Sequence, residues 1–461
     1  MNRRRSVVLM VFVSLGAWPL ASQAQNISAP MNASSVSAAA SVPQSQQSPQ
    51  APGNPLTLQQ AESLALRNNP QITIGKLRAL EARQYVRETR SALLPTAYLS
   101  LTAVDSEPGS RIAAGALNNP TIFPRAAAGA TVSQLLTDFG RTSNLVSSSE
   151  LQAKAADQNA AATTADITLA ADRSFYSCLD TRELVKVAQG TVDARQLLVD
   201  KVQALANAKL RSDLDLSFTK VDLARANLLL LEARNNEQSC LATLSAILGF
   251  PDQQPFDLID PAQPGTPAPP APDAQPLIQQ ALRQRPEVSA LQYQVASAQK
   301  SSSAEHDLWR PTIGALGVVG TTPVRDPAIT PNWYGAVGVN INIPVFNGFL
   351  YNARAQTADL QTEVARQKLS DLRNNIARDV RIAWQDTNRA YERLAVTRQL
   401  REQASLALDL AQTRYNLGLA SIVEYSQAEL AKTEADIADT DANYSYRLTQ
   451  ITLAYTIASP K

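Results

Sequence analysis

Two kinds of hydrophobic periodicity alternate along this chain of 461 residues. From residue 349 to residue 417 there are 69 residues without Gly or Pro. Within them apolar side chains recur at three- or four-residue spacing, at Leu369, Leu372, Ile376, Val380 and Trp384. This pattern predicts a helix about 100 Å long with a narrow seam like that of a coiled coil. Other stretches are rich in alanine, which permits close helix packing: Ala153, Ala155, Ala156, Ala160, Ala161 and Ala162.

The second periodicity is a strict alternation, typical of β-strands. In residues 333–343 one face carries Val337, Val339, Ile341 and Ile343, and the other carries Gly338, Asn340 and Asn342. Residues 96–103 alternate in the same way, and residues 127–133 and 312–320 do so more weakly. Strands of about ten residues, apolar on one face and small or polar on the other, are typical of transmembrane barrels. Trp333 and Tyr334 stand at one strand end, where we expect an aromatic girdle.

The number of strands constrains how they could cross a membrane. After the N-terminal segment no stretch approaches 18 uninterrupted apolar residues, so a membrane-spanning region must consist of β-strands. The four alternating segments, read as two β-hairpins, supply only four strands, whereas single-chain barrels begin at about eight. Four strands have two open edges, which lipid does not tolerate. The sequence therefore predicts a barrel shared among two, three or four chains in a cyclic oligomer.

The chain contains an internal duplication. Residues 66–70 (LRNNP) match residues 282–286 (LRQRP) at an offset of 216, and Pro95 matches Pro311 at the same offset. Residues 212–215 (SDLD) match residues 421–424 (SIVE) at an offset of 209, as Pro251 matches Pro460. Two concordant offsets indicate two structural repeats, each a helix, a β-hairpin and a long helix pair.

Composition divides the chain into five segments. Residues 1–24 combine three arginines with a short apolar run and small residues before Gln25, which predicts a signal peptide. Residues 25–55 are uncharged and rich in Ser, Ala, Gln and Pro, and we expect them to be disordered. The first repeat then spans 56–250. A stiff linker follows at 251–276, where nine of 26 residues are proline, and the second repeat spans 277–460.

Charge and candidate chemistry argue against several classes of function. The net charge is +1, which gives no reason to expect nucleic acid as a partner. We find no nucleophilic triad order and no phosphate-binding glycine loop, so no catalytic residue or cofactor is assigned. The single histidine, His306, and two cysteines give no metal site. His306 is interpreted as a surface residue near a helix-to-strand corner.

Several short motifs resemble those of the TolC-like outer-membrane efflux family. Residues 56–61 (LTLQQA), followed by residues 65–66 (AL) and 69–70 (NP), resemble the family's opening segment, and Leu94-Pro95 resembles its helix-to-strand corner. Residues 138–141 (DFGR) and 346–348 (FNG) resemble its return from strand to helix. Residues 415–421 (YNLGLAS) resemble the glycine-containing tip between its last two long helices. The resemblance covers about residues 56–460, in order and twice over.

The resemblance implies a mixed α/β membrane protein. In this family three chains form a 12-stranded transmembrane β-barrel, continued by a 12-helix α-barrel in the periplasm of a Gram-negative cell. Such a homotrimer sits in outer-membrane lipid and acts as a passive duct, docked on a periplasmic membrane-fusion adaptor and an inner-membrane transporter. The alternative, from another class, is a periplasmic coiled-coil or adaptor protein without a pore. The amphipathic strands favour the duct.

The resemblance also assigns two candidate sites to the helix tips. Asn416, Leu417, Gly418, Leu419 and Ala420 are expected to dock the adaptor. The first tip, residues 208–212, lacks the glycine and so departs from the family pattern. Three acids follow the turns and are expected to form a gating ring, in which Glu424 occupies the family's gating position: Asp213, Asp215 and Glu424. The family's second gating acid is replaced here by Gln427. Ser212 and Ser421 precede these acids as in capping boxes, so a helix-capping role is an alternative compatible with the gate.

Spacing predicts a disulfide between Cys178 and Cys240. The first helix pair turns near Leu210, with the two cysteines 32 residues before it and 30 residues after it. Antiparallel helices bring such positions to nearly the same height. An oxidising periplasm would allow the bond to form. Two unpaired thiols on different helix faces remain the alternative, because spacing fixes height and not direction.

Overall fold

The computed structural model describes residues 54–105, 107, 124–261, 269–325 and 331–458. The expected signal peptide (1–24) and nearly all of the expected disordered segment (25–55) lie outside the described residues. The elements, numbered in chain order, are β1 Asn54–Leu56, α1 Leu58–Asn68, α2 Pro70–Ser91, β2 Thr96–Val104, β3 Arg125–Thr137, α3 Arg141–Asn207, α4 Asp213–Ile247, β4 Phe256–Leu258, α5 Gln275–Gln284, α6 Pro286–His306, β5 Thr312–Val324, β6 Trp333–Asn342, α7 Leu350–Asn416 and α8 Ile422–Thr456. A short 3₁₀ turn, Asp307–Trp309, separates α6 from β5.

The element lengths confirm the duplication. Helices α3 and α7 each have 67 residues, and α4 and α8 each have 35. Their first residues, 141 and 350 for one pair and 213 and 422 for the other, differ by 209. The hairpins begin at residues 96 and 312, which differ by 216. The chain therefore folds as two copies of one unit that differ by seven residues between the start of the hairpin and the long helix.

The four expected strands are confirmed and form one antiparallel sheet. Its order is β2-β3-β5-β6, so β2 and β6 are the two edges. The apolar face of β6 is open to solvent in the single chain: Val337 is 91% exposed. Leu99 and Leu101 on β2 are likewise exposed. The sheet thus presents an uncovered apolar face, as expected for a surface that meets lipid.

The expectation that Trp333 and Tyr334 share one aromatic girdle is wrong. Successive strand residues point to opposite faces, so Trp333 shares the face of Val337 while Tyr334 shares the face of Asn340. The Tyr334 ring lies over two glycines on neighbouring strands, Gly129 and Gly320. Only Trp333, which is 71% exposed, extends the apolar face.

The long helices form two rows joined through α3 and α7. Nearest the sheet the neighbours are α2 with α3, α3 with α6, and α6 with α7. Toward the other end, α4 packs on α3, α3 on α8, and α8 on α7. No helix among the described residues contains an 18-residue stretch apolar enough to cross a bilayer.

The predicted seam of α7 packs against a short helix rather than against another long one. Ile376 and Val380 are buried against Ile278 and Ala281 of α5, and Leu369, Leu372 and Trp384 pack around them. The indole N–H of Trp384 donates to the carbonyl of Ala271 at 2.7 Å. The seam of α7 therefore packs against the segment that leads from the linker into the second repeat.

The linker and the start of the first repeat differ from the expectation in one respect. Asn54 and Pro55, placed in the disordered segment, belong to β1, which pairs in parallel with β4 inside the expected linker. Leu56 and Leu258 are buried there with Phe175 and Leu244, on a core shared with α3 and α4. Burial of these side chains orders a stretch whose proline content predicted only an extended connector.

Candidate functional site

The two interhelical turns, which we call the first tip (residues 208–212) and the second tip (residues 417–421), share one backbone geometry. Lys209 has φ 58°, and Gly418, 209 positions later, has φ 73°. In both tips the next N–H donates to the carbonyl five residues earlier at 2.8 Å, Leu210 to Leu205 and Leu419 to Arg414. A left-handed residue with this bond is a common helix ending. The first tip thus keeps the turn of the second without its glycine.

Each tip is followed by a serine that caps the next helix. The Ser212 hydroxyl accepts from the N–H of Asp215 at 3.1 Å, and the Ser421 hydroxyl accepts from the N–H of Glu424 at 3.2 Å. A complete capping box occurs instead at Thr57 and Gln60, where both reciprocal bonds are present. The serines therefore provide the capping, and the acids that follow them lie where a helix dipole stabilises negative charge.

The tips and the first turn of α4 expose four leucines. Leu210, Leu417 and Leu419 have about 70% of their surface exposed, at 71%, 69% and 69%, and Leu214 is 63% exposed. We call these four residues the leucine surface. Exposed aliphatic side chains gathered at two neighbouring turns mark a contact surface more clearly than scattered ones do.

The remaining residues expected to dock the adaptor have other surroundings. The Asn416 side chain accepts from the Lys201 ammonium at 2.7 Å. Ala420 is partly buried against the core beneath the tips. A side chain at Gly418 would meet nothing within 4 Å, so this glycine is required by its φ and not by crowding.

An aromatic pair joins the two tips from below. Tyr415 is 3% exposed and stacks on Tyr425, with ring centroids 5.5 Å apart. The Arg211 guanidinium of the first tip lies over the Tyr415 ring, 4.5 Å from its centroid. Burial raises the pKa of Tyr415, and burial raises the pKa of Tyr425 to about 12. The two turns are therefore held together as one unit by neutral rings and a cation.

The three expected gate acids are not equivalent in the structure. Asp213 is exposed and Asp215 is half-buried beside the first tip. The Glu424 carboxylate pairs with the Arg414 side chain of α7 at 3.2 Å. Sequence reasoning missed this partner, although Arg414 immediately precedes the Tyr415 motif. Within one chain the second tip thus carries a compensated acid, and the first tip carries two acids.

A buried polar cluster lies farther along the helices. Arg195 of α3 is 4% exposed and pairs with Glu429 of α8 at 2.7 Å and with Asp222 of α4 at 3.6 Å. The Ser426 hydroxyl donates to the Asp222 carboxylate. Burial raises the pKa of Glu429, while the Arg195 charge opposes that effect. Sequence reasoning missed this cluster. The available signal was that Arg195 precedes the buried Leu198 by three residues, so both lie on the same, inward face of α3.

A groove of about 420 Å³ opens beside this cluster, between α4 and α8. Its walls include apolar side chains from both helices together with charged ones: Phe218, Leu430, Asp222, Arg225 and Arg195. The groove lies within reach of the tips, because Val423, two residues after the second tip, also lines it.

The structure joins Cys178 of α3 and Cys240 of α4 in a disulfide, with Cα atoms 5.4 Å apart. Cys178 is buried in the core that also contains Phe175 and Leu179. His306, interpreted as a surface residue, is exposed, and its Nε2 lies 3.2 Å from both carboxylate oxygens of Asp359. No group of three metal-binding side chains occurs among the described residues.

Comparison with known proteins agrees with this architecture. The sequence pattern of the family described as "Outer membrane efflux protein" matches residues 62–250 and 277–458. The chain is 25% identical over 329 residues to the cobalt-zinc-cadmium resistance protein CzcC of Cupriavidus metallidurans, covering 71% of this chain and 72% of that protein.

Solved structures extend the likeness to the fold. The outer-membrane channel OprN superposes with a TM-score of 0.75 at 17% identity, covering 87% of this chain and 90% of OprN. The open-state MtrE outer-membrane channel of Neisseria gonorrhoeae superposes with a TM-score of 0.71 at 18% identity, covering 87% of this chain and 88% of MtrE. The family pattern covers both repeats, and this chain belongs to the outer membrane efflux protein family.

Proposed function

We propose that three copies of this chain close into a passive duct that receives its substrates from a periplasmic adaptor and an inner-membrane pump. Family membership gives the coarser statement: the chain is an outer-membrane efflux channel of a tripartite system, with a periplasmic extension, and is not an enzyme. The proposal adds the trimer, the docking surface and the gate.

The observation that carries the proposal is the open four-stranded sheet. Its apolar face is exposed and its edges β2 and β6 are unpaired within the described chain. Lipid tolerates neither open edge, so neighbouring copies must supply the missing partners. Purified protein should run as a heat-modifiable trimer and form conducting channels in planar bilayers. A stable monomer without conductance would overturn the proposal.

The leucine surface is the proposed site for the adaptor. Leu419 is exposed on a turn held rigid by the Tyr415 pair and by the Ser421 cap. Leu419→Asp should abolish export, because a charge would be desolvated where an apolar partner docks. Trimer yield and bilayer conductance of the isolated channel should stay normal, since the side chain is 69% exposed.

A matched control uses Leu197, which is 71% exposed on α3 and lies away from both tips. Leu197→Asp should leave export intact. Docking at the second tip is contradicted if Leu419→Asp exports normally, or if both variants lose export to the same degree.

Asp213, Asp215 and Glu424 are proposed to gather around the periplasmic mouth of the trimer. Nine carboxylates near one axis would favour cations and give an electrostatic gate. A triple variant with Asp213→Asn, Asp215→Asn and Glu424→Gln removes the negative charge of all nine carboxylates but keeps both capping serines. Single-channel recording should show weaker cation preference and altered conductance.

The control separates gating from capping. Ser212→Ala with Ser421→Ala removes two caps, at a cost of about 1 kcal/mol each, without changing any charge. This variant should be less stable yet keep the cation preference. Unchanged selectivity in the triple acid variant would leave these residues as helix-start acids without a gating role.

A further inference from the structure

One row of residues crosses the whole sheet on its polar face. Ser100 pairs with Gly129, Gly129 with Gly320, and Gly320 with Tyr334. Residues directly opposite each other in antiparallel strands share a face. The row therefore consists of a serine, two adjacent glycines and a tyrosine, and lies near the sheet end farthest from the helices, one residue after Trp333 begins β6.

The two glycines form a slot that the tyrosine ring fills. A Cβ atom at Gly129 would stand 2.3 Å from the Tyr334 Oη, and a Cβ atom at Gly320 would stand 2.3 Å from its Cζ. Both distances are far below the ~3.5 Å of van der Waals contact. The phenol ring thus extends across two neighbouring strands, flat against the backbone, where no other residue type leaves room for it.

The face on which the ring lies is the one opposite the exposed valines. Tyr334 has the parity of Gly338, Asn340 and Asn342, whereas Val337 and Val339 carry the apolar face. In a closed barrel the apolar face meets lipid and the polar face lines the lumen. Tyr334 therefore lies on the lumen wall if the strands close as proposed above, and the inference rests on that proposed function.

We propose that Tyr334 is a specificity-determining residue that sets the bore of the duct near its outer end. Held flat in the slot of Gly129 and Gly320, the ring leaves the lumen wide and presents a π-face to passing solutes. Lifted off the wall, three such rings narrow the same cross-section. The glycines act by positioning the ring, and the ring itself contacts the solute.

Gly129→Ala is the test, because the nearest atom to the added methyl is the Tyr334 hydroxyl, and the next heavy atoms lie at 3.3 Å and 3.4 Å. The ring must move by about 1 Å or more to restore contact distance. We expect single-channel conductance to fall roughly 1.5-fold and the size limit for neutral polymers to shrink. Gly320 is the poorer choice, since a Cβ there would also stand 2.7 Å from the Ala128 carbonyl oxygen.

Tyr334→Phe supplies the decisive rescue. It removes the oxygen that the new methyl would strike, so Gly129→Ala combined with Tyr334→Phe should conduct like the wild type, and Tyr334→Phe alone should change little. Gly338→Ala is the matched control, because it adds a methyl on the same face with nothing within 4 Å. The inference is overturned if Gly129→Ala conducts like the wild type. It is also overturned if Gly129→Ala lowers the conductance and the added Tyr334→Phe substitution does not restore it.

A second measurement does not depend on whether the barrel tolerates the added methyl group of Gly129→Ala. Tyr334→Cys should be modified by a charged, membrane-impermeant thiol reagent with a stepwise fall in conductance, whereas Val337→Cys on the lipid face should be unaffected. Modification at 337 and not at 334 would overturn the lumen assignment. Absence of any wild-type channel would instead contradict the proposed duct, so the two failures are distinguishable.

Discussion

Left-handed residues occur at equivalent places in the two repeats. At the strand-to-helix corners, Phe139 and Gly140 have φ 54° and 110°, and Gly348 and Phe349 have φ 62° and 64°. The glycine and the phenylalanine have exchanged positions while the backbone has kept two consecutive left-handed residues. A left-handed conformation costs a residue with a Cβ about 1–2 kcal/mol. The corner is therefore specified by its surroundings and not by the placement of one glycine.

Lys209 shows the same strain in a form that is simple to test. Its φ of 58° is held by the first tip, where the second tip has Gly418. Lys209→Gly should raise the free energy of unfolding by about 0.5–1 kcal/mol, the relief of strain less the greater freedom of glycine in the unfolded chain. Denaturant unfolding followed by far-ultraviolet circular dichroism measures the change.

Gly418→Ala is the mirror-image control. No atom lies within 4 Å of the added Cβ, so only the backbone conformation opposes the change. We expect the free energy of unfolding to fall by about 1 kcal/mol. If Lys209→Gly instead destabilises the protein, the lysine side chain has a role in the tip that its exposure does not reveal.

At the scale of elements, local patterns predicted what is local. A stretch free of Gly and Pro placed α7 within a residue of its observed ends, and alternation located all four strands, because both signals are written in consecutive side chains. Partners were not predictable in the same way. Nothing in the Leu369–Trp384 seam indicates that it packs on α5, and the pairing of β1 with β4 joins residues about two hundred positions apart.

The candidate site shows the same limit. The motif around Gly418 located the turn, and the serine spacing located the caps. The partner of Glu424, the position of Arg211 over Tyr415 and the Arg195 cluster each depend on which helix faces come together. Trp333 and Tyr334 were expected together at an aromatic girdle because they stand at the same strand end, although strand parity directs their side chains to opposite faces.

The disulfide links α3 to α4, and we expect it to stabilise this helix pair. Cys178 and Cys240 enclose a loop with a sequence separation of 62 that contains the first tip. Cys178→Ser with Cys240→Ser should lower the free energy of unfolding by up to about 4 kcal/mol in the chain-entropy model. Tip geometry should persist, because the helices remain packed over their length.

Thiol labelling tests the bond directly. Alkylation of purified protein that has been unfolded without reduction should label neither cysteine. Reduction before alkylation should make both cysteines react. Labelling of both cysteines without reduction would refute the bond.

At the scale of the whole molecule, the sheet and the helix row nearest it are open at matching edges. The sheet ends at β2 and β6, and the row of neighbours α2, α3, α6 and α7 ends at α2 and α7. Helix α2 leads into β2, and β6 leads into α7, so each open edge of the sheet continues into an open edge of the helix row. A head-to-tail contact of β6 and α7 with the next copy's β2 and α2 closes both at once.

Exposed leucines at these helix edges supply the final prediction. Leu77 of α2 is 58% exposed and Leu360 of α7 is 69% exposed, and these two helices are the ends of the row α2, α3, α6 and α7. Burying both between protomers would contribute about 1.5–3 kcal/mol per side chain. Leu77→Asp should therefore shift heat-stable trimer to monomer, because a carboxylate would be desolvated at each of three contacts.

Leu197→Asp again serves as the matched control. Leu197 is more exposed than Leu77 but lies on α3, which has α4 and α8 on its two sides. Its replacement should leave the trimer band on a non-boiled gel unchanged. Trimer loss in Leu197→Asp, or a normal trimer in both Leu77→Asp and Leu360→Asp, would place the subunit contact elsewhere. The combination expected here, loss at both edge helices and none at the middle one, follows only from a ring closed through β2 with α2 and β6 with α7.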